Sequence, residues 1–217
     1  MAETLLAGER QHLCDLGRRM VADRLVVGTS GNISVRAGDL VAATPSGVPY
    51  ADLVPESIAV LDLSGRQLAG DLPPTSEVPL HLALYRSARI GAVVHTHAPH
   101  ATAVSTLVTE VPPIHYVLAM LGGALRVADY ATFGTPELAA SVVAALGDSH
   151  ACLLANHGAV TVGGTLAAAY DRALQVEWLC QVWLAATAAG APKLLSRAEI
   201  AKVSDLARDY GEAGRER

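Results

Sequence analysis

The chain has 217 residues, 16 of them basic and 21 acidic, giving a net charge of -5. At roughly 150 residues per domain, that length predicts one large domain covering residues 1–217. An acidic balance with no basic run excludes a protein that lives on nucleic acid, because affinity for the phosphate backbone comes from clustered Lys and Arg.

Hydrophobic residues make up 51% of the chain and aromatics only 4%, so the core is expected to be built from Ala, Val and Leu. The uncharged stretches 90–109 and 149–170 are interrupted by His, Gly and polar residues, and neither predicts a membrane span. The opening MAETLLAGERQHL lacks the basic-then-apolar order of a secretory leader, which points to the cytoplasm. Cys14, Cys152 and Cys180 are odd in number, far apart and without a CxxC pair; they are expected as buried free thiols, so any metal must use other ligands.

Leu13, Leu16 and Met20 recur at helical spacing and predict an opening helix within 3–25, ending near Gly28. Residues 28–70 then alternate short β-branched runs (ISV, LVAAT, IAVLDL) with the turn formers TSGN, RAGD, TPSG and LSGR, which predicts a strand meander. Thr75 and Ser76 precede a helix expected over 77–88, with Pro79 in its first turn. A strand over 91–97 and a short helix over 98–107 follow. Thr135, Pro136 and Glu137 supply the cap, first-turn proline and first-turn acid of a helix reaching Leu146. The run ACLLA predicts a strand over 151–155, AVTVG continues it after NHG, a long helix covers 165–189, and a last helix starts near Arg197. Alternating helices and short strands predict an α/β layered domain.

His95 and His97 stand two apart in a predicted strand, so their imidazoles share one face and can reach one ion. His157, directly after another strand, is a third candidate. Three imidazoles with an open fourth position suit a catalytic zinc, although an HxH pair taken alone reads as readily as two satisfied histidines. Glu77, at a helix start, can bind such an ion, remove a proton from a chelated substrate, or merely complement the helix dipole. His12 and His150 read as surface residues; His81 and His100 read as satisfied neighbours or groups behind the ligands. The polar turns GTSGN, TPSG and TSE can together cradle a phosphate without lysine, and no Walker sequence is present. The only lysines, Lys193 and Lys202, lie far from these motifs, which disfavours a Schiff-base mechanism and favours a metal.

In chain order, the motifs GTSGNISVR, TPSGVPY, LPPTSEVPLHLALYRS, AVVHTHAPHATAVS, PPIHY, YATFGTPEL and ANHGAVTVG resemble the zinc-dependent class II aldolase/adducin family over nearly the whole chain. The resemblance implies a single three-layer α/β/α domain with a largely antiparallel central sheet, assembled as a cyclic homotetramer with active sites between subunits. It implies one Zn2+ per subunit on His95, His97 and His157, with Glu77 as an acid/base that also touches the metal. Asn32, Ser46, Gly47, Thr75 and Ser76 would form the phosphate pocket, with Thr29 and Ser30 in the adjoining turn. Tyr116 would cross from a neighbouring subunit to handle a proton at the aldehyde end, and Phe133 and Tyr210 would line the aldehyde pocket.

The family pattern has serine where Thr75 stands and one residue more between Glu77 and His95. The implied activity is cleavage of a ketose 1-phosphate, such as L-fuculose 1-phosphate, to dihydroxyacetone phosphate and a small aldehyde such as lactaldehyde. Pentulose-phosphate 4-epimerases and methylthioribulose-1-phosphate dehydratases share these sites, and the adducin head is a non-catalytic scaffold. The epimerases carry Asp in place of Glu77 and lack the IHY and YATFG stretches.

Overall fold

The computed structural model describes residues 5–87 and 89–213, with the side chains of the last helix described as far as 206. Six α-helices and one eight-stranded sheet are found among the described residues. Helix α1 is Ala7–Ala22, shorter at both ends than the periodicity predicts. The expected meander is β1 (Asn32–Ala37), β2 (Leu40–Ala43), β3 (Ala59–Asp62) and β4 (Gln67–Ala69), each antiparallel to the next. Then come α2 (Val78–Leu84), β5 (Ala92–Thr96), α3 (Pro99–Ser105), β6 (Val127–Ala128), α4 (Pro136–Leu146), β7 (Ala151–Leu154), β8 (Gly158–Gly163), α5 (Leu166–Ala189) and α6 (Arg197–Ala213).

The strand order is β4-β3-β2-β1-β5-β8-β7-β6, antiparallel throughout except for the β6–β7 edge. Side-chain alternation along each strand serves two layers. Ile33, Val94 and Leu153 face a core shared with α1, α3 and α5, while Val93, Cys152, Val160 and Val162 face α2 and α4. The arrangement is therefore the expected three-layer α/β/α sandwich with a largely antiparallel sheet.

The caps read from the sequence are in place: the Thr135 hydroxyl accepts from Leu138 N at 3.3 Å and the Thr165 hydroxyl from Ala168 N at 3.2 Å. Leu138, Val142 and Leu146 put an i, i+4 stripe of α4 into the core, each worth about 1.5–3 kcal/mol of apolar burial. Two elements depart from expectation. Helix α2 ends at Leu84 rather than 88, and Glu77 is its N-cap rather than its first turn. Strand β6 has only two residues and carries no alternation signal. The three cysteines are buried and free, and no described helix is long and apolar enough to cross a membrane.

Candidate active site

Strands β1 and β5 are neighbours, with Asn32 paired to His95 and Ser34 to Val93. Alternation therefore sends Asn32, Ser34 and His95 to the same face of the sheet, under α2. His97 lies one residue past β5, where its N–H donates to the Leu25 carbonyl at 3.1 Å. His157 sits in the tight β7–β8 hairpin, after Asn156 in the left-handed region (φ 56°). Gly158 begins β8 so close to β5 that a Cβ there would stand 2.1 Å from the Thr96 carbonyl oxygen. The expected ligand residues thus arrive from two chain segments held in register by one strand pair.

The three rings form a triangle with centroids 4.8 Å apart on every side. His95 Nε2 and His97 Nε2 are 3.0 Å apart. Glu77 adds a carboxylate, with Oε2 3.1 Å from His95 Nε2 and Oε1 3.8 Å from His157 Nε2. The Nδ1–H of His95 is directed at the Ala159 carbonyl at 3.0 Å, so Nε2 is the nitrogen facing the cluster. Burial opposes its protonation, but Glu77 beside it and the Ala159 carbonyl raise the His95 pKa in the metal-free site, and an ion would take the place of that proton. Burial, then repulsion from neighbouring imidazoles, pushes His97 down to about 3, and burial with the His95 charge pushes His157 down to about 4. Burial alone would raise the Glu77 carboxyl, but His95, the Asn32 hydrogen bond and His157 hold it well below the usual carboxylate range.

Glu77 is 5% exposed, yet its Oε1 is buried without a hydrogen-bond partner. Three convergent imidazole nitrogens, two of them on rings that resist protonation, and an orphaned buried carboxylate oxygen are the donor set a divalent cation satisfies. Each of the three imidazoles offers one ligand atom, and these atoms lie within 4.8 Å of one another. The residues therefore fit a metal ion.

His97, His157 and Glu77 form one wall of a cavity of about 570 Å3. Thr29, Ser30, Asn32, Ser46, Gly47, Thr75 and Ser76 all line it. The hydroxyls of Thr29, Ser46 and Ser76 and the N–H groups of Gly47 and Ser76 have no hydrogen-bond partner among the described residues, so they are available to an anion. Ser30 is already engaged with Val27, and the Thr75 hydroxyl accepts from Glu77 N at 3.2 Å. Asn32 is more committed than its expected phosphate role suggests: its Nδ2 donates to Glu77 Oε2 at 2.8 Å and its Oδ1 meets His81 Nε2. Among the described residues no lysine or arginine lines this cavity.

Phe133 also lines the cavity, with Val27, Tyr130, Ala131 and Asn156. Tyr130 and Asn156 were not singled out from the sequence, although both lie inside quoted motifs, YATFGTPEL and ANHGAVTVG. Tyr116 does not line the cavity; it is 54% exposed in a short 3-10 turn, Tyr116–Ala119, beside His115. Tyr210 falls in the last turns of α6, and its side chain lies outside the described residues. His81 is fully enclosed and bonded on both ring nitrogens, and His100 meets Glu177 Oε1 at 2.6 Å. Glu177 also accepts from the N–H groups of His100 and Ala101, which caps the helix that follows His97. A larger open groove of about 1480 Å3 between α2 and α4 holds none of the imidazole ligands.

Residues 11–184 match the family model for the class II aldolase and adducin N-terminal domain. The chain belongs to this family. Class II aldolases are carbon–carbon lyases, and this chain is an enzyme of that kind. It is 36% identical over 211 residues to a 5-deoxy-D-ribulose 1-phosphate aldolase of Bacillus thuringiensis serovar kurstaki, covering 96% of this chain and 99% of that one. It is 43% identical over 187 residues to an L-fuculose phosphate aldolase of Escherichia coli strain K12, covering 85% and 86%. A solved L-fuculose 1-phosphate aldolase superimposes with a TM-score of 0.92 at 32% identity, covering 96% of this chain and 100% of that one.

Proposed function

We propose that the chain, acting as one domain over residues 1–217, is a zinc-dependent aldolase that cleaves a ketose 1-phosphate to dihydroxyacetone phosphate and a small aldehyde. The observation that carries this reading is the cluster of His95, His97, His157 and Glu77 on one wall of a cavity whose floor offers unpartnered hydroxyl and N–H groups. The three imidazoles, with Glu77 beside them, would hold the ion. When bound, a divalent cation supplies a Lewis acid that stabilises the negative charge left on the ketose oxygens as the C3–C4 bond breaks.

The chain's own residues do the rest. Thr29, Ser46, Gly47, Thr75 and Ser76 bind the phosphate through neutral donors and set the register of C3 against Glu77. Glu77 Oε1, the unpartnered oxygen, delivers a proton to C3 in cleavage and removes one from dihydroxyacetone phosphate in synthesis. Tyr116, reaching across a subunit boundary, relays the proton of the C4 hydroxyl, passing its own phenolic proton to solvent as it accepts that one, and donates a proton to the aldehyde oxygen in synthesis. Its exposure and its position outside the cavity of its own chain support a site completed by a neighbouring copy, as in the homotetramer that the family resemblance implies. Buried unpaired thiols support a cytoplasmic setting.

Phe133, Ala131 and Val27 give the aldehyde end an apolar wall. A methyl-ended sugar suits such a wall, and the relatives named for 5-deoxy-D-ribulose 1-phosphate and L-fuculose phosphate act on sugars of that type. We therefore assign the substrate to methyl-ended ketose 1-phosphates, with 5-deoxyribulose 1-phosphate and L-fuculose 1-phosphate as the two to test. Dihydroxyacetone phosphate release from either, measured with a coupled dehydrogenase, is the expected result. Epimerisation of ribulose 5-phosphate, or loss of water from methylthioribulose 1-phosphate, without dihydroxyacetone phosphate release would overturn the assignment.

A further inference from the structure

Behind Glu77 runs a line of buried polar side chains that the proposed reaction does not use directly. Asn32 Nδ2 donates to Glu77 Oε2 at 2.8 Å, and Asn32 Oδ1 lies 2.5 Å from His81 Nε2. His81 Nδ1 is 2.6 Å from Ser34 Oγ, which is 2.6 Å from the Tyr85 hydroxyl. Exposures run from 0% for Ser34 to 4% for Asn32, so no water-filled alternative competes with these bonds. His81 is 1% exposed and meets a hydroxyl and an amide carbonyl, with no carboxylate on either ring nitrogen to stabilise a buried charge, so the ring has a single hydrogen to place.

The direction of the whole line is fixed at one end. A carboxylate only accepts, so the Asn32 amide must turn its NH2 toward Glu77 and its carbonyl toward His81. That carbonyl requires the His81 hydrogen on Nε2. The bare Nδ1 then requires the Ser34 hydroxyl as donor, and the oxygen of Ser34 accepts from the Tyr85 hydroxyl. Every group has one consistent role, and a reversed line would face the Asn32 carbonyl against a carboxylate.

The strands and helix make this possible by simple periodicity. Asn32 and Ser34 are two apart on β1 and share the face under α2, while Glu77, His81 and Tyr85 are four apart along that helix and its cap. Resting on the aldolase reading above, we propose that Tyr85, Ser34, His81 and Asn32 form a positioning relay that locks the Glu77 carboxylate, keeping Oε2 as a permanent acceptor and leaving Oε1 as the oxygen that carries the proton.

The relay gives one carboxylate oxygen a donor and leaves the other, buried oxygen without one. A carboxylate free to rotate or shift would spend its time in orientations that miss C3, and a displacement near 1 Å costs about 100-fold in rate.

Two variants test it in the metal-loaded protein. Ser34→Ala removes the donor to His81 Nδ1, and Ser34→Thr restores a hydroxyl there. Nitrogen-correlated NMR of the His81 ring should report the Nε2–H tautomer in the unaltered protein and a mixture of tautomers in Ser34→Ala. Turnover for hydrogen exchange at C3 of dihydroxyacetone phosphate should fall about 10-fold to 100-fold in Ser34→Ala, with KM within about twofold and metal content unchanged. Ser34→Thr should recover most of that loss.

Should Ser34→Ala fail to fold, Tyr85→Phe, which removes only the outermost hydroxyl, gives the same readouts with a smaller loss. An Nδ1–H tautomer in the unaltered protein, an unchanged exchange rate, or a parallel loss of KM and metal would overturn the relay. Absence of exchange in the unaltered protein would instead remove the aldolase reading, so the two failures are distinguishable.

Discussion

Gly158 concentrates the geometry of the site into one atom. A Cβ added there would stand 2.1 Å from the Thr96 carbonyl oxygen and 3.4 Å from His97 Cα, whereas real Cβ contacts stay above 3.0 Å. Thr96 pairs with Ala159 across β5 and β8, so the obstruction is backbone and cannot swing aside. In Gly158→Ala the two strand ends must separate by about 1 Å, the ends that carry His97 and His157, and such overpacking costs about 1–3 kcal/mol. The reduced freedom of the unfolded chain returns about 0.4–1 kcal/mol, so a net destabilisation of about 1–2 kcal/mol is expected in urea titration.

The functional effect should be larger than the loss of stability. A shift near 1 Å at two of three ligands predicts weaker metal binding by titration calorimetry and at least about a 100-fold loss of cleavage. Gly164→Ala is the control, because nothing lies within 4 Å of a Cβ there. If Gly158→Ala binds metal and turns over as the Gly164 control does, the idea that this close strand approach sets the ligand triangle is wrong.

Three further outcomes follow from the same geometry. Glu77→Gln should keep most of the bound metal and lose about 100-fold to 10,000-fold in hydrogen exchange at C3 of dihydroxyacetone phosphate; unchanged exchange would remove Glu77 as the base. Tyr116→Phe should spare that exchange and slow carbon–carbon cleavage by about 100-fold or more, and an equal fall in both reactions would misplace Tyr116. The metal-free protein should lose stability on acidification between pH 6.5 and pH 4, since the unfolded chain protonates His81 there while the buried ring, pushed down to about 4, does not. That share amounts to about 3 kcal/mol by pH 4, and urea titration of His81→Phe across the same range should show a flatter slope; an unchanged slope would contradict the buried neutral ring.

Much of the architecture was legible because it rests on local signals. Thr135-Pro136-Glu137 marks the start of α4 through a hydroxyl cap and a donor-free first turn, and the hydroxyl bond is present at 3.3 Å. His95 and His97 announce a shared face through the period of two, and the strand delivers both rings to one cluster. Glu77 shows where local reading stops: it was expected inside a helix running to 88, but the Thr75 hydroxyl takes its N–H and makes it the cap. The partnership of Asn32 with His81 is set by how α2 docks over β1, a tertiary choice that neither segment's pattern encodes. Strand β6, two residues long, exists because β7 offers an edge to pair with, not because Val127–Ala128 prefers extension. Tyr116 stands exposed and away from the cavity of its own chain, a placement that the PPIHY motif by itself does not encode.

The most direct measurement is metal content and cleavage of a methyl-ended ketose 1-phosphate, taken before and after exhaustive chelation and again after zinc is returned. The account predicts one divalent ion per chain, cleavage lost on stripping and restored by zinc, and neither bound ion nor rescue in His97→Ala. Full turnover by the stripped protein would contradict it.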